Sequence, residues 1–150
     1  QSLNELLAMS MESLFRCIDD SDIFLLLLNQ KAHEMQGRYY MGQNNSIDAA
    51  QCKVPFEHKQ SPIITCMFTN KPVIWSQGQP AFHLPLKIFS TLMTSHAMLI
   101  RIMLDKKPVG CFFISRKTNK AYTNEDIEWF GKVVEQVNKA FLKGRSKSHN

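Results

Sequence analysis

"KPVGCFFISRKTNKAYTNEDIEWF" (residues 107–130) passes from a strand-like apolar block straight into a helix start. Val109, Cys111, Phe112, Phe113 and Ile114 fill both alternating phases of the strand, so neither face reads as solvated. A strand of this kind needs a packed layer on each side. Just downstream, Thr123-Asn124-Glu125-Asp126 has the form of a capping box with an acidic residue at its fourth position. It opens a helix whose Ile127, Phe130, Val134, Val137 and Phe141 are spaced 3, 4, 3, 4. Trp129, Val133 and Ala140 widen that stripe, and Gly144 is the predicted stop. Such a seam suits packing against a second helix, and equally docking on the protein's own sheet.

Working outward, residues 96–105 and 108–116 form a predicted hairpin turning at Asp105-Lys106-Lys107. At the other end, Ser2-Leu3-Asn4-Glu5 is a second capping box. Leu3, Leu6, Leu7, Met11, Leu14 and Ile18 follow at helical spacing, predicting an amphipathic helix over residues 3–19. Asp19-Asp20-Ser21 breaks it, and the residues from Ile23 to Leu28 form a strand too apolar to face water on either side. A turn at Asn29-Gln30-Lys31 leads to a second strand over 34–41, read as Met35, Tyr39 and Met41 alternating against Gln36, Arg38 and Tyr40.

Residues 42–60 read as an irregular crossing with one helical turn near 47–51. Loops of this length in compact domains are often functional. In "SPIITCMFTNKPVIW" (residues 61–75), Ser61 is a predicted N-cap and Pro62 the first helical residue. Asn70 is the predicted left-handed residue after that helix, Pro72 forbids its continuation, and Val73, Ile74 and Trp75 make a short strand. A loop over 76–84 precedes a compact helix at about 85–93. The order is that of an α+β domain: a mostly antiparallel sheet, the first and last helices on one face, short helices and loops roofing the other.

The totals agree. A chain of 150 residues, 44% hydrophobic and 21% charged, is long enough for one packed core and too apolar to be disordered. The expected organisation is a single domain over residues 1–144 with a basic tail over 145–150. No apolar run nears the ~20 residues of a membrane span, and the first residues lack the features of a secretory signal. The chain begins at Gln1 rather than Met, so an excised piece of a longer protein is expected. Cys17, Cys52, Cys66 and Cys111 show no CxxC pair; they read as reduced thiols in small apolar niches, which points to the cytoplasm, with a metal site or disulfides as the alternative. The net charge of +5 leans on Lys139, Lys143, Arg145 and Lys147, a cluster at a helix end and tail. A solvated helix end is therefore expected there, and no direct nucleic-acid contact.

Three stretches carry a resemblance: "SPIITCMFTNKPVIW", "KKPVGCFFISRK" and "AYTNEDIEWFGKVVEQVNKAF". Together, and in this order, they resemble a GAF domain, a PAS-related regulatory fold. The last is similar to the family's Phe-Thr-x-x-Asp start to the closing helix, with Tyr122 in the Phe position. With "LLLLNQ" and "EQVNKAF", the chain also looks like the GAF-type region found C-terminal to HDOD domains in bacterial signalling proteins. The resemblance implies a non-enzymatic regulatory or sensory domain that binds a small molecule, dimerises through its terminal helices, or does both. It further implies an attached upstream signalling domain. Residues 119–127 depart from the cyclic-nucleotide signature at Tyr122 and Ile127, and the Cys-His pair of bilin-attaching members is absent.

No HxxxH, HExxH, P-loop or G-x-S-x-G spacing occurs, so neither a metal site nor an activated nucleophile is legible. His58 and His83 lie in loops that would line a pocket, where a haem ligand and an ordinary loop histidine are the two readings. Phe56, His58, Trp75, Phe82, His83 and Phe89 gather around the irregular segments. This set suits a ligand site, whose identity and cofactor stay unknown, and suits plain core filling as well. Leu7, Leu14, Phe130, Val137 and Phe141 are the candidate dimer seam. Two other functions stay open. One is a thiol-dependent reductase of the free methionine sulfoxide type, using Cys52 and Cys66. The other is a purely structural dimerisation module.

Overall fold

A computed structural model of the chain describes residues 2–148, with side chains through Leu142. Helix α1 (Leu3–Cys17) starts at the Ser2 capping box and is followed by β1 (Ser21–Asn29) and β2 (Glu34–Met41). A 3-10 turn (Ala49–Gln51) and β3 (Lys53–Pro55) occupy the crossing segment. Then come α2 (Pro62–Thr65), β4 (Val73–Ser76) and α3 (Leu86–Leu92). The hairpin β5 (His96–Leu104) and β6 (Lys107–Arg116) leads into α4 (Asn124–Ser148). The strands make one six-stranded sheet in the order β3-β2-β1-β6-β5-β4, with every neighbouring pair antiparallel.

The two most apolar strands, β1 and β6, are therefore central, as their two-sided hydrophobicity requires. Phe112 and Phe113 are both fully buried, on opposite faces. Phe112 and Ile114 join Ile23, Leu25 and Met98 beneath α1 and α4. Cys111 and Phe113 join Phe24, Leu26 and Leu99 beneath α2, α3 and the loops. The terminal helices lie against each other and the sheet on one side, and the mid-chain pieces roof the other.

The structure corrects the sequence reading at several points. The stretch over 53–55 is a strand, paired with β2 through Met35 and Val54; three residues are too few to show a period. The β1–β2 register shifts between Leu25 and Leu26, where Leu25 faces Tyr39 and Leu26 faces Gly37. Arg38 is thus the extra residue of a bulge, and the alternation of β2 changes phase there. Tyr40, read as a polar-face residue, packs instead on Phe24 beneath the roof, with ring centroids 4.9 Å apart. Asn70 is absent from the left-handed residues, and Ser61 makes no capping bond because its hydroxyl is used elsewhere. Cys17, placed by the sequence among apolar residues, is exposed at the end of α1.

Helix α4 runs past Gly144 to Ser148, since one helical glycine costs only about 1 kcal/mol. The side chains of Lys143, Arg145 and Lys147, and residues 149–150 of the expected tail, lie outside the described residues. Leu7, Leu14, Phe130, Val137 and Phe141 all have 6% or less of their surface exposed, so the α1–α4 seam they form is internal to the protomer. That is the sheet-docking alternative, and it leaves those side chains unavailable to a second chain.

Candidate functional site

The roofed face of the sheet is where the sequence gathers its aromatic residues. Trp75 is fixed by β4, and Phe82 descends from the irregular stretch between β4 and α3. Phe82 is fully buried. Its ring lies 4.5 Å from that of Trp75 on one side and 5.1 Å from that of Phe113 on the other. Phe113 in turn stacks on Phe24 at 5.6 Å, and Phe24 meets Tyr40. A continuous aromatic array thus crosses the roofed face from β4 to β2. Tilted and offset contacts of this kind add to what area burial alone supplies.

Two polar groups close the site from the side. The indole Nε1–H of Trp75 donates to the Pro80 carbonyl at 2.8 Å. The hydroxyl of Ser61, itself fully buried, donates to the Phe82 carbonyl. Above them the rings of His58 and His83 lie 4.2 Å apart and nearly parallel, joining the segment before α2 to the one before α3. Phe56 packs partly buried against the same core. Phe89, from the expected set, is 40% exposed on α3. The structure therefore brings Phe56, Trp75 and Phe82 into one core and pairs the two histidines over it.

Cys52, Cys66 and Cys111 are buried in this core too. The Cys66 thiol donates to the Ile63 carbonyl at 3.2 Å. Its sulfur accepts from Cys111, and that bond, together with burial, pushes the Cys111 thiol well above the ordinary range. Burial alone pushes Cys52 up to about 12. Cys52 and Cys111 are therefore held as thiols at neutral pH, and a thiol is a poor nucleophile compared with a thiolate. Among the described residues no cluster of three or more His, Cys, Asp or Glu side chains is arranged to hold a metal ion.

Open volume lies elsewhere. A recess of about 770 Å³ sits at the β1–β2 hairpin beside Leu28, Lys31, Arg38 and Tyr39. Another, of about 710 Å³, sits at the α1–β1 turn beside Asp19, Asp22, Asn44 and Lys117. Tyr40 donates to Asp22, which lines this second recess; burial and that bond raise Tyr40 to about 12. Sequence reasoning missed Ser61, whose cap-like position concealed its link to Phe82, and Tyr40, whose face the bulge reversed. Gly37 was the available signal for the latter, because a Cβ there would collide with the Ala49 carbonyl.

One residue joins the two ends of the chain. Arg116, at the end of β6 and 2% exposed, donates to the Asp19 carbonyl at 2.9 Å and to the Lys120 carbonyl at 2.9 Å. Its guanidinium lies 4.1 Å over the ring of Tyr122, whose hydroxyl bonds to Ser21. The exit of α1 and the approach to α4 are thereby held to one strand end.

No protein-family model and no curated protein matches the sequence. Solved structures do match in shape. The chain is similar to the GAF domain of a two-component sensor histidine kinase from Bacillus halodurans, with a TM-score of 0.74 at 16% identity over 98% of each chain. It is similar to a methyl-accepting chemotaxis protein, with a TM-score of 0.76 at 14% identity over 95% of this chain and 90% of that one. The fold is that of a GAF domain. The free methionine-R-sulfoxide reductase of Neisseria meningitidis, solved with its substrate, is also similar, with a TM-score of 0.67 at 10% identity over 97% of this chain and 89% of that one. At these identities the GAF fold is shared and chemistry is not thereby transferred. Within this GAF fold, no helix of the described residues is long and apolar enough to cross a membrane.

Proposed function

We propose that this GAF-fold chain is a regulatory, non-enzymatic module. It responds to a small molecule beneath the roof and passes that state to an attached domain through α1 and α4. The observation that carries the reading is the pairing of faces on the central strands. Phe24 and Phe113 support the aromatic array, while their neighbours Leu25 and Phe112 support the terminal helices. A ligand that moves the first pair moves the second, and Arg116 ties both helix junctions to β6. The shift in the partner domain is bounded by the ligand's differential affinity for the two states.

An upstream HDOD module is the proposed attached domain, and a homodimer the proposed assembly. Its surface would use the exposed apolar side chains Leu3, Met9, Trp129 and Leu142 of the two helices. Four unpaired thiols suit a cytoplasmic setting. To test the sensory role, fractionated cell extract is screened for a small molecule that raises the melting temperature of the purified chain. The expected result is a saturable rise with one fraction; no rise with any fraction speaks for a purely structural module.

A second reading rests on the convergence of Cys52, Cys66 and Cys111 in one core, which keeps a thiol reductase in view. Its test is turnover of free methionine sulfoxide with a dithiol reductant, in the parent and in Cys52→Ser and Cys66→Ser. The buried Cys52 and Cys111, held as thiols, predict no turnover.

A further inference from the structure

Phe82 reaches the centre of the aromatic array from an irregular segment whose other ties are the buried Leu84, backbone bonds from Gln77 to Ser95 and from Gln79 to Ser76, and the His83 ring on His58. Residues 77–85 contain no helix or strand, and Gln77, Gly78, Gln79, Pro80, Ala81 and His83 are exposed around it. Among the described residues, no backbone–backbone hydrogen bond involves residues 80–84. Gly78 (φ 99°) and His83 (φ 61°) bracket the buried ring in left-handed conformations. At His83, a non-glycine residue, that geometry costs energy which opening would release.

The segment's two bonds to the site wall have a common form: each is a carbonyl offered to a wall donor. Pro80 accepts from the Trp75 indole N–H and Phe82 accepts from the Ser61 hydroxyl. Withdrawing the segment would leave an aromatic slot between Trp75 and Phe113 with two unpartnered donors at its edge. Each of those donors, left buried without a partner, carries the desolvation penalty of an unmade bond. The slot therefore stays shut until something replaces both the ring and the carbonyls.

We infer that residues 77–85 are a built-in occupant of the ligand site, and that the natural ligand is a planar, uncharged aromatic molecule with two acceptor atoms, which displaces Phe82 and takes over the bonds from Trp75 and Ser61. This deepens the sensory reading and rests on its placement of the site beneath the roof. The lack of charge follows from the lining: Phe24, Phe113 and Ile63 are all buried and apolar and supply no compensating ion. Opening uncovers Phe82 and frees both donors, so the open form is a minor state and apparent affinity falls in proportion to its population. Weak binding to the native chain and tighter binding without the plug are therefore the expected pair of results.

The experiment uses coumarin, a flat neutral bicycle with two oxygen acceptors, and naphthalene, of the same size with none. Both are titrated into the full chain while the Trp75 indole N–H is followed by NMR; Trp129→Phe identifies that signal among the two tryptophans. Coumarin is expected to move the Trp75 signal of the wild-type chain, naphthalene to move it at least ~5-fold less well, and Phe82→Ala to tighten coumarin at least ~10-fold. Phe82→Leu repeats the comparison if the alanine variant does not fold. Hydrogen exchange of the Trp75 indole is expected to be at least ~10-fold faster than that of the Phe113 backbone amide, because it needs only local opening.

An unmoved wild-type signal with binding confined to the variants means an artificial cavity only, and overturns the inference. Exchange of Trp75 at the global unfolding rate does the same. A fraction of cell extract that stabilises the chain without moving the Trp75 signal overturns the inference while leaving the sensory reading standing.

Discussion

Phe82 and Phe89 look alike in the sequence, two aromatics beside a predicted short helix, yet one is fully buried and the other 40% exposed. Phe82→Ala is expected to lower unfolding free energy in urea by about 3–5 kcal/mol, whereas Phe89→Ala should stay within about 0.5 kcal/mol. Periodicity could not separate them, because Phe82 belongs to an irregular segment with no period to read. Alkaline stability is decided by single residues too. Cys52 rises from an ordinary 9.0 to about 12, and Tyr40 from 10.0 to about 12. The fold favours both neutral forms, so their contributions are complete below pH 9 and are lost as pH climbs toward 12. Urea midpoints are expected to fall across that window. Cys52→Ala should lessen the part of the decline that begins near 9, which Cys111 shares, and Tyr40→Phe the part that begins near 10, which the buried Tyr122 shares.

Strands and helices with two-sided or periodic burial were legible: β1, β2, β5, β6, α1 and α4 all appear where spacing and capping put them. What escaped depended on contacts distant in sequence. Strand β3 exists because Val54 finds Met35, and the phase of β2 turns on the Arg38 bulge. Two glycines separate these effects. Gly37 approaches the Ala49 carbonyl so closely that Gly37→Ala must displace backbone, a loss of about 2 kcal/mol or more. Gly131, inside α4, has open space where a Cβ would stand, with no atom beyond its own helix backbone and chain neighbours within 4 Å, so Gly131→Ala should gain about 0.5–1 kcal/mol. Thermal melts of the two variants should move in opposite directions.

At the scale of the whole molecule, the sandwich around β1 and β6 follows from their composition, and so does the placement of α1 and α4 together. The candidate site was half legible: its aromatic members could be named, but not which of them plugs it, since that depends on how an irregular segment folds back. The internal seam of Phe130, Val137 and Phe141 likewise moves any dimer contact to other side chains. The proposed homodimer predicts a two-chain mass by sedimentation at micromolar concentration, reverting to one chain in Met9→Glu/Trp129→Glu. Leu7→Ala should instead weaken folding by about 2–5 kcal/mol without a specific effect on association.

Of the four thiols only Cys17, where α1 gives way to β1, is exposed. A maleimide dye or nitroxide offered to the native chain should therefore attach at a single place, at the joint through which a terminal helix meets the sheet. That gives a spectroscopic reporter of helix movement without changing one amino acid.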